Sequence, residues 1–86
     1  MTEDELIAKY IEVDPWRGPP DAWVIGHGVQ IWGLVGALPV VDHDLARLAD
    51  SFDLPLEAVE AAMAYYRRHK AVVDAKILLN EAAFGS

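Results

Sequence analysis

The chain has 86 residues, 53% hydrophobic and 24% charged, which is the make-up of one small folded domain and excludes a second domain or a disordered tail. Fourteen acidic against seven basic side chains leave a net charge of −7, which disfavours any general affinity for nucleic acid or an anionic membrane. The absence of cysteine excludes a disulfide framework, a thiolate zinc site and a cysteine nucleophile.

A chain this short buries only about 60–65% of its unfolded surface, so a second copy or another protein is an expected way of completing its core. The start, Met1-Thr2-Glu3-Asp4-Glu5, has neither the basic region of a secretion signal nor the arginine-rich face of a transit peptide, so the expected location is the cytoplasm. Thr2-x-x-Glu5 matches a capping box and predicts a helix. Leu6, Ile7, Tyr10 and Ile11 give that helix an apolar stripe, and Pro15 ends it near Glu12. Asp14 to Asp21 holds three prolines and a glycine, which predicts a stiff extended connector (14–21) and leaves residues 1–13 as a separate helical arm.

The twenty residues from Ala22 to Val41 carry no formal charge and are long enough to cross a bilayer. Gly26, Gly28, Gly33, Gly36 and Pro39 interrupt the run and no lysine or arginine anchors its edges, so buried core is the reading and no membrane contact is expected. Within residues 22–41, Trp23-Val24-Ile25 and Val29-Gln30-Ile31 flank Gly26-His27-Gly28 and predict a small β-hairpin. Trp32 to Leu38 reads as a short helix stopped by Pro39. Asp42 is placed to cap the next helix, where Leu45, Leu48, Ala49 and Phe52 share one face. After the break Asp53-Leu54-Pro55, a helix is expected from Leu56 to about Ala83. At 1.5 Å per residue it would be about 40 Å long, more than the other elements can cover.

Residues 42–64 have the spacing of a helix-turn-helix. Their net charge of −5, with Glu57 and Glu60 in the reading turns and no Arg, Lys, Asn or Gln there, favours a structural tri-helical role over base reading. Residues 65–84 form the C-terminal extension of the long helix, and Tyr65-Tyr66-Arg67-Arg68-His69-Lys70 is the densest basic-aromatic cluster. Arg67, Arg68 and Lys70 are the candidates for phosphate contact. The alternative, a solvated face answering the acidic segment, is favoured because one short patch in an acidic chain is a weak footprint.

Along the long helix, Val59, Met63, Tyr66, Val73, Ile77 and Phe84 form a seam with Lys70 and Asn80 in its polar places. The half from Val59 to Tyr66 is read as packing on the chain's own core, whereas intrachain partners run out for Val72, Val73, Ile77, Leu78, Leu79 and Phe84; the candidate homodimer contacts are Tyr66, Val73, Ile77, Leu78 and Phe84. Trp16, Trp23 and Trp32 are read as core packing or as a partner-binding surface. His27, His43 and His69 lack the i, i+4 pairing of a helical metal site, and no Gly-x-Ser-x-Gly, phosphate-loop or dinucleotide motif is present. No catalytic residue, metal ligand, cofactor or small-molecule substrate is therefore assigned, and an enzyme is not expected.

From Gly28 to about Ile77 the order of features resembles the small bacterial and archaeal family catalogued as domain of unknown function four-three-three. The resemblance is carried by Gly28-Val29-Gln30-Ile31-Trp32-Gly33-Leu34-Val35, then Asp44-Leu45-Ala46-x-x-Ala49-x-x-Phe52-x-Leu54, then Glu57-Ala58-Val59-Glu60-Ala61-Ala62-Met63-Ala64-Tyr65-Tyr66. The tail Tyr66-x-x-His69-Lys70-x-Val72-Val73-Asp74-Ala75 is similar to one branch of it. Many members have Gly-x-Arg-Ile-Pro where this chain has Gly28-Val29-Gln30-Ile31-Trp32, which removes a basic group. The resemblance implies a mainly α fold with a homeodomain-like or winged helix-turn-helix core, a short N-terminal β-hairpin and a long C-terminal helix. It also implies a homodimeric VapB-type antitoxin that binds a PIN-like ribonuclease toxin and autoregulates its operon. The alternatives are a helix-turn-helix repressor without a toxin partner and a small structural adapter.

Overall fold

The computed structural model describes residues 2–85, with side-chain surroundings for residues 2–80. Thr2 caps the first helix, α1 (Glu3–Tyr10): its Oγ1 accepts from the Glu5 amide at 3.2 Å and donates to Glu5 Oε1 at 3.0 Å. The helix ends before its apolar stripe does, because Ile11 is extended and starts a strand. It is not a separate arm. Leu6, Ile7 and Tyr10 pack on the core, with α1 lying on the fourth helix described below.

The hairpin forms earlier in the chain than the β-prone runs suggest. Strand β1 (Ile11–Asp14) pairs antiparallel with β2 (Gly18–Val24), with Ile11 opposite Val24, Glu12 opposite Trp23 and Asp14 opposite Gly18. The expected Pro-rich connector is its turn and second strand. Asp14 Oδ1 accepts from the amides of Trp16 (2.7 Å) and Arg17 (3.2 Å), and Gly18 supplies φ +80°. Pro19 and Pro20 are tolerated because each strand of a two-stranded sheet has a free edge. Of the hairpin expected at residues 23–31 there remain a Trp23–Gln30 bridge and a bond from Val24 N to Val29 O at 2.8 Å. Gly26-His27-Gly28 is a turn, but it leads from strand to helix.

Helix α2 (Ile31–Ala37) begins one residue before Trp32 and passes into a 3-10 turn, Leu38–Val41. Asp42 and His43 are both left-handed (φ 56° and 60°), so Asp42 is not the cap. Asp44 takes that place, accepting from the Ala46 and Arg47 amides at 3.0 and 3.2 Å to start α3 (Leu45–Ser51). A tight turn through Asp53 (φ 55°) leads to α4 (Leu56–Arg68).

Helix α4 is the centre of the molecule. Ala58, Val59, Ala61, Ala62, Met63, Ala64 and Tyr65 are buried on it, and α1, α2 and α3 pack around it. Four alanines in that set let the neighbouring elements approach closely. The single helix expected to reach Ala83 is broken at His69, and α5 (Lys70–Gly85) turns onto α2 and β2, where Val73 is completely buried. The Cα radius of gyration, 12.3 Å, is close to the ~12 Å of a compact chain of this length, so no arm protrudes. The fold is mainly helical, with five α-helices and a two-stranded N-terminal hairpin among the described residues. Among those residues no helix is long and apolar enough to cross a membrane.

Candidate interaction surface

The basic cluster answers carboxylates of its own chain. Arg68 Nε lies 2.9 Å from Glu3 Oε1 and its Nη1 contacts Asp4, while Arg67 Nη2 lies 3.3 Å from Glu3 Oε2. The hydrogen bond to Asp4, seconded by Glu3, raises the Arg68 pKa above its ordinary value. Lys70 bonds to Asp74 at 2.8 Å and to Tyr66 Oη at 3.2 Å, and these bonds, Asp74 first, raise its pKa. Asp74 is lowered in turn, by Lys70 and then by the Tyr66 hydroxyl, which donates to it at 2.6 Å. Three cations thus meet three carboxylates, and the patch carries no net charge. Exposed pairs of this kind contribute little individually.

The N-terminal turns of α4 present Leu56, Glu57 and Glu60 to solvent, and Glu57 accepts from the Tyr10 hydroxyl at 2.8 Å. No side chain there matches the donor pattern that reads base edges.

The proposed dimer seam divides. Val73 is fully buried within the chain, and Tyr66 and Ile77 are partly buried against its core, because the break at His69 lays α5 on α2 and β2. Val73 therefore faces its own core. Leu78 is open to solvent (66%), as is Leu79 (68%). The Phe84 side chain lies outside the described residues. Between α5 and β2 runs a shallow trough of about 260 Å³ lined by Pro20, Asp21, Val72, Ala75, Lys76 and Leu79. At its edge the buried Asp21 Oδ1 sits 3.2 Å from Lys76 Nζ, within ion-pair distance though with no directed hydrogen bond to that oxygen. Fifty-five residues of separation hide this pair from the sequence.

The three tryptophans do not share a surface. Trp16 is 94% exposed at the hairpin tip. Trp23 lies near the other end of β2, about 17 Å of strand away at 3.3 Å per residue. Trp23 and Trp32 are half-buried and, with Val29, Gln30 and Phe52, line an open groove of about 510 Å³. The Trp32 indole N–H is satisfied within it, donating to Gln30 Oε1 at 2.6 Å.

His69 stacks on Tyr65 with ring centroids 4.4 Å apart, and His27 and His43 are exposed on turns. No group of three histidine or carboxylate side chains is placed to hold a metal among the described residues. No family model, curated protein or solved structure matches the chain. Its class is that of a small, mainly helical globule with apolar side chains exposed at the hairpin tip and on the outer face of α5.

Proposed function

We propose that the protein is a non-enzymatic, self-associating protein-binding module with a helix-turn-helix type core, antitoxin-like in that it binds and silences a PIN-like ribonuclease. The observation that carries the binding role is Trp16. Its indole is almost wholly exposed, yet its backbone is fixed by the Asp14 carboxylate at the closed end of a hairpin. A side chain of this kind removes about 150–250 Å² from water when covered, and the backbone that carries it is already ordered before a partner arrives. Leu78 and Leu79 on α5 supply further apolar contact area.

The toxin assignment rests on the family-like order of residues from Gly28 to Ile77. The α3–turn–α4 succession fits the same reading. Operator binding is the less supported half, since α4 is sheathed by three helices and Arg67, Arg68 and Lys70 already meet carboxylates.

Co-expression with the product of the adjacent gene, followed by affinity capture and a growth assay, tests the proposal. The wild-type chain is expected to retain that product and relieve growth arrest. Trp16→Ala is expected to weaken retention about 30-fold, the effect of losing a hot-spot anchor worth about 2 kcal/mol. No capture by the wild-type chain, or capture indifferent to Trp16→Ala, would overturn it.

A further inference from the structure

The stretch Leu56 to Ala83 contains neither glycine nor proline, yet its helix breaks at one residue. At His69 the backbone leaves the helical region (φ −127°, ψ 33°), and its amide is shared between the Tyr65 and Tyr66 carbonyls at 3.1 Å each. Most side-chain pairings across this point are those of an uninterrupted helix. His69 stacks on Tyr65, and Lys70 bonds to both Tyr66 and Asp74, all at i, i+4 spacing. One bond needs the bend: Tyr66 Oη to Asp74 Oδ1 at 2.6 Å. On a straight helix the Cα atoms of residues eight apart would be about 12 Å from one another.

The bend is otherwise held from a distance. Val73 is buried against α2 and β2, Ile77 is half-buried beside it, and Lys76 reaches the buried Asp21. The backbone itself loses by bending. The first intrahelical bond of α5 is Val73 N to His69 O at 3.0 Å, so the amides of Lys70, Ala71 and Val72 precede the helical ladder that a straight helix would extend to them.

We infer that α5 is an exchangeable arm: with the bend at His69 straightened, it leaves its seat on β2 and α2 and fills the same seat of a second copy, which returns its own α5. A second copy is the occupant because only another α5 restores every feature of the seat. The Val73 side chain returns to burial, and Lys76 meets the partner's Asp21 instead of its own. Each chain gives one arm and receives one, so the assembly closes as a two-fold dimer. A hinge of one residue favours such exchange, because straightening it returns the amides of Lys70, Ala71 and Val72 to a continuous helical ladder. The inference rests on the self-association in the preceding reading and specifies how the second copy is engaged.

The Asp21–Lys76 pair provides the test. Asp21→Lys and Lys76→Asp each set like charges against one another at the seat. When the two variants are unfolded together, refolded and studied as an equimolar mixture, exchanged arms restore an opposite-charge pair at both seats. The mixture is expected to sediment as a dimer several-fold more than either variant alone, and to melt as one transition near wild type. A mixture that melts as the sum of its two components overturns the exchange even if the wild-type chain is dimeric. A wild-type chain monomeric at every concentration overturns the exchange and the self-association together, leaving capture by Trp16 to be judged separately. Tyr66→Phe, which removes the bond peculiar to the bend, is expected to raise the dimer fraction several-fold above wild type. An unchanged or smaller fraction contradicts the inference.

Discussion

Val73→Ala distinguishes an α5 whose Val73 is seated in the core from one that leaves this face open to water. Val73 is completely buried, and the substitution removes two methyl carbons. At about 0.8 kcal/mol each, these account for about 1.6 kcal/mol of transfer free energy, with a few tenths more for the cavity left behind. Alanine is the better helix former by about 0.5 kcal/mol, so the net loss is about 1.5 kcal/mol. For a domain of 86 residues this corresponds to a fall in Tm of about 6–12 °C. Leu78→Ala deletes more carbon but from a side chain 66% exposed, so it should stay within about 0.5 kcal/mol. Thermal unfolding followed by far-UV circular dichroism, with urea titrations at matched protein concentration, reads both variants. The smaller deletion must be the more harmful one, with the urea slope unchanged. A Val73→Ala shift below about 3 °C, or a Leu78→Ala shift equal to it, would refute the seating of α5 on α2 and β2. Arm exchange does not blur the result, because Val73 occupies the same seat in either arrangement.

Asp44→Ala should lose about 1 kcal/mol in urea unfolding through the unsatisfied Ala46 and Arg47 amides, while Asp42→Gly, relieving a left-handed φ of 56°, should lose less; the reverse order would return the cap to Asp42. Acid unfolding should respond to Asp74, whose folded pKa is held below the ordinary carboxylate value chiefly by Lys70 and then by Tyr66. As pH falls the unfolded chain therefore takes up this proton first, so the contribution is complete above pH ~4 and is lost as pH drops through the lowered folded value. Asp74→Asn should flatten that part of the stability–pH curve, and an unchanged curve would contradict the Lys70–Asp74–Tyr66 arrangement.

The elements that could be read from the sequence are those whose causes are local. Thr2 and Glu5 lie three residues apart and satisfy one helix end. Leu48, Ala49 and Phe52 report the buried side of α3, and Gly26-His27-Gly28 marks a turn. The position of the hairpin is not legible, because Trp23-Val24-Ile25 and Val29-Gln30-Ile31 look more strand-like than Gly18-Pro19-Pro20-Asp21. What decides its position is the Asp14 turn, together with burial of Ile11, Ala22 and Val24 against helices distant in sequence. Nothing in residues 66–72 marks a break, since the bend is set by the seat that receives Val73 and Lys76. A helical spacing of apolar residues reports a face to be covered. It does not say which chain covers it, and this is why the seam through Val73 and Ile77 reads as a dimer contact until the fold is known.

Charge gives the other instance in which distance in sequence hides the decisive partner. Arg67, Arg68 and Lys70 stand out as a basic patch, but Glu3, Asp4 and Asp74 cancel it, two of them from the opposite end of the chain. The segment 42–64 keeps its −5, with Arg47 paired only to Asp42 at 3.4 Å across exposed side chains. The outward field of the α3–α4 unit is therefore negative, and it repels a phosphate backbone while attracting a protein surface rich in lysine and arginine. For a protein partner as proposed above, that field would govern approach, whereas exposed charge adds little to the strength of a final contact. In the proposed binding role the strength would come from apolar groups still open to water after folding, which would put the weight of recognition on Trp16 and on the outer face of α5.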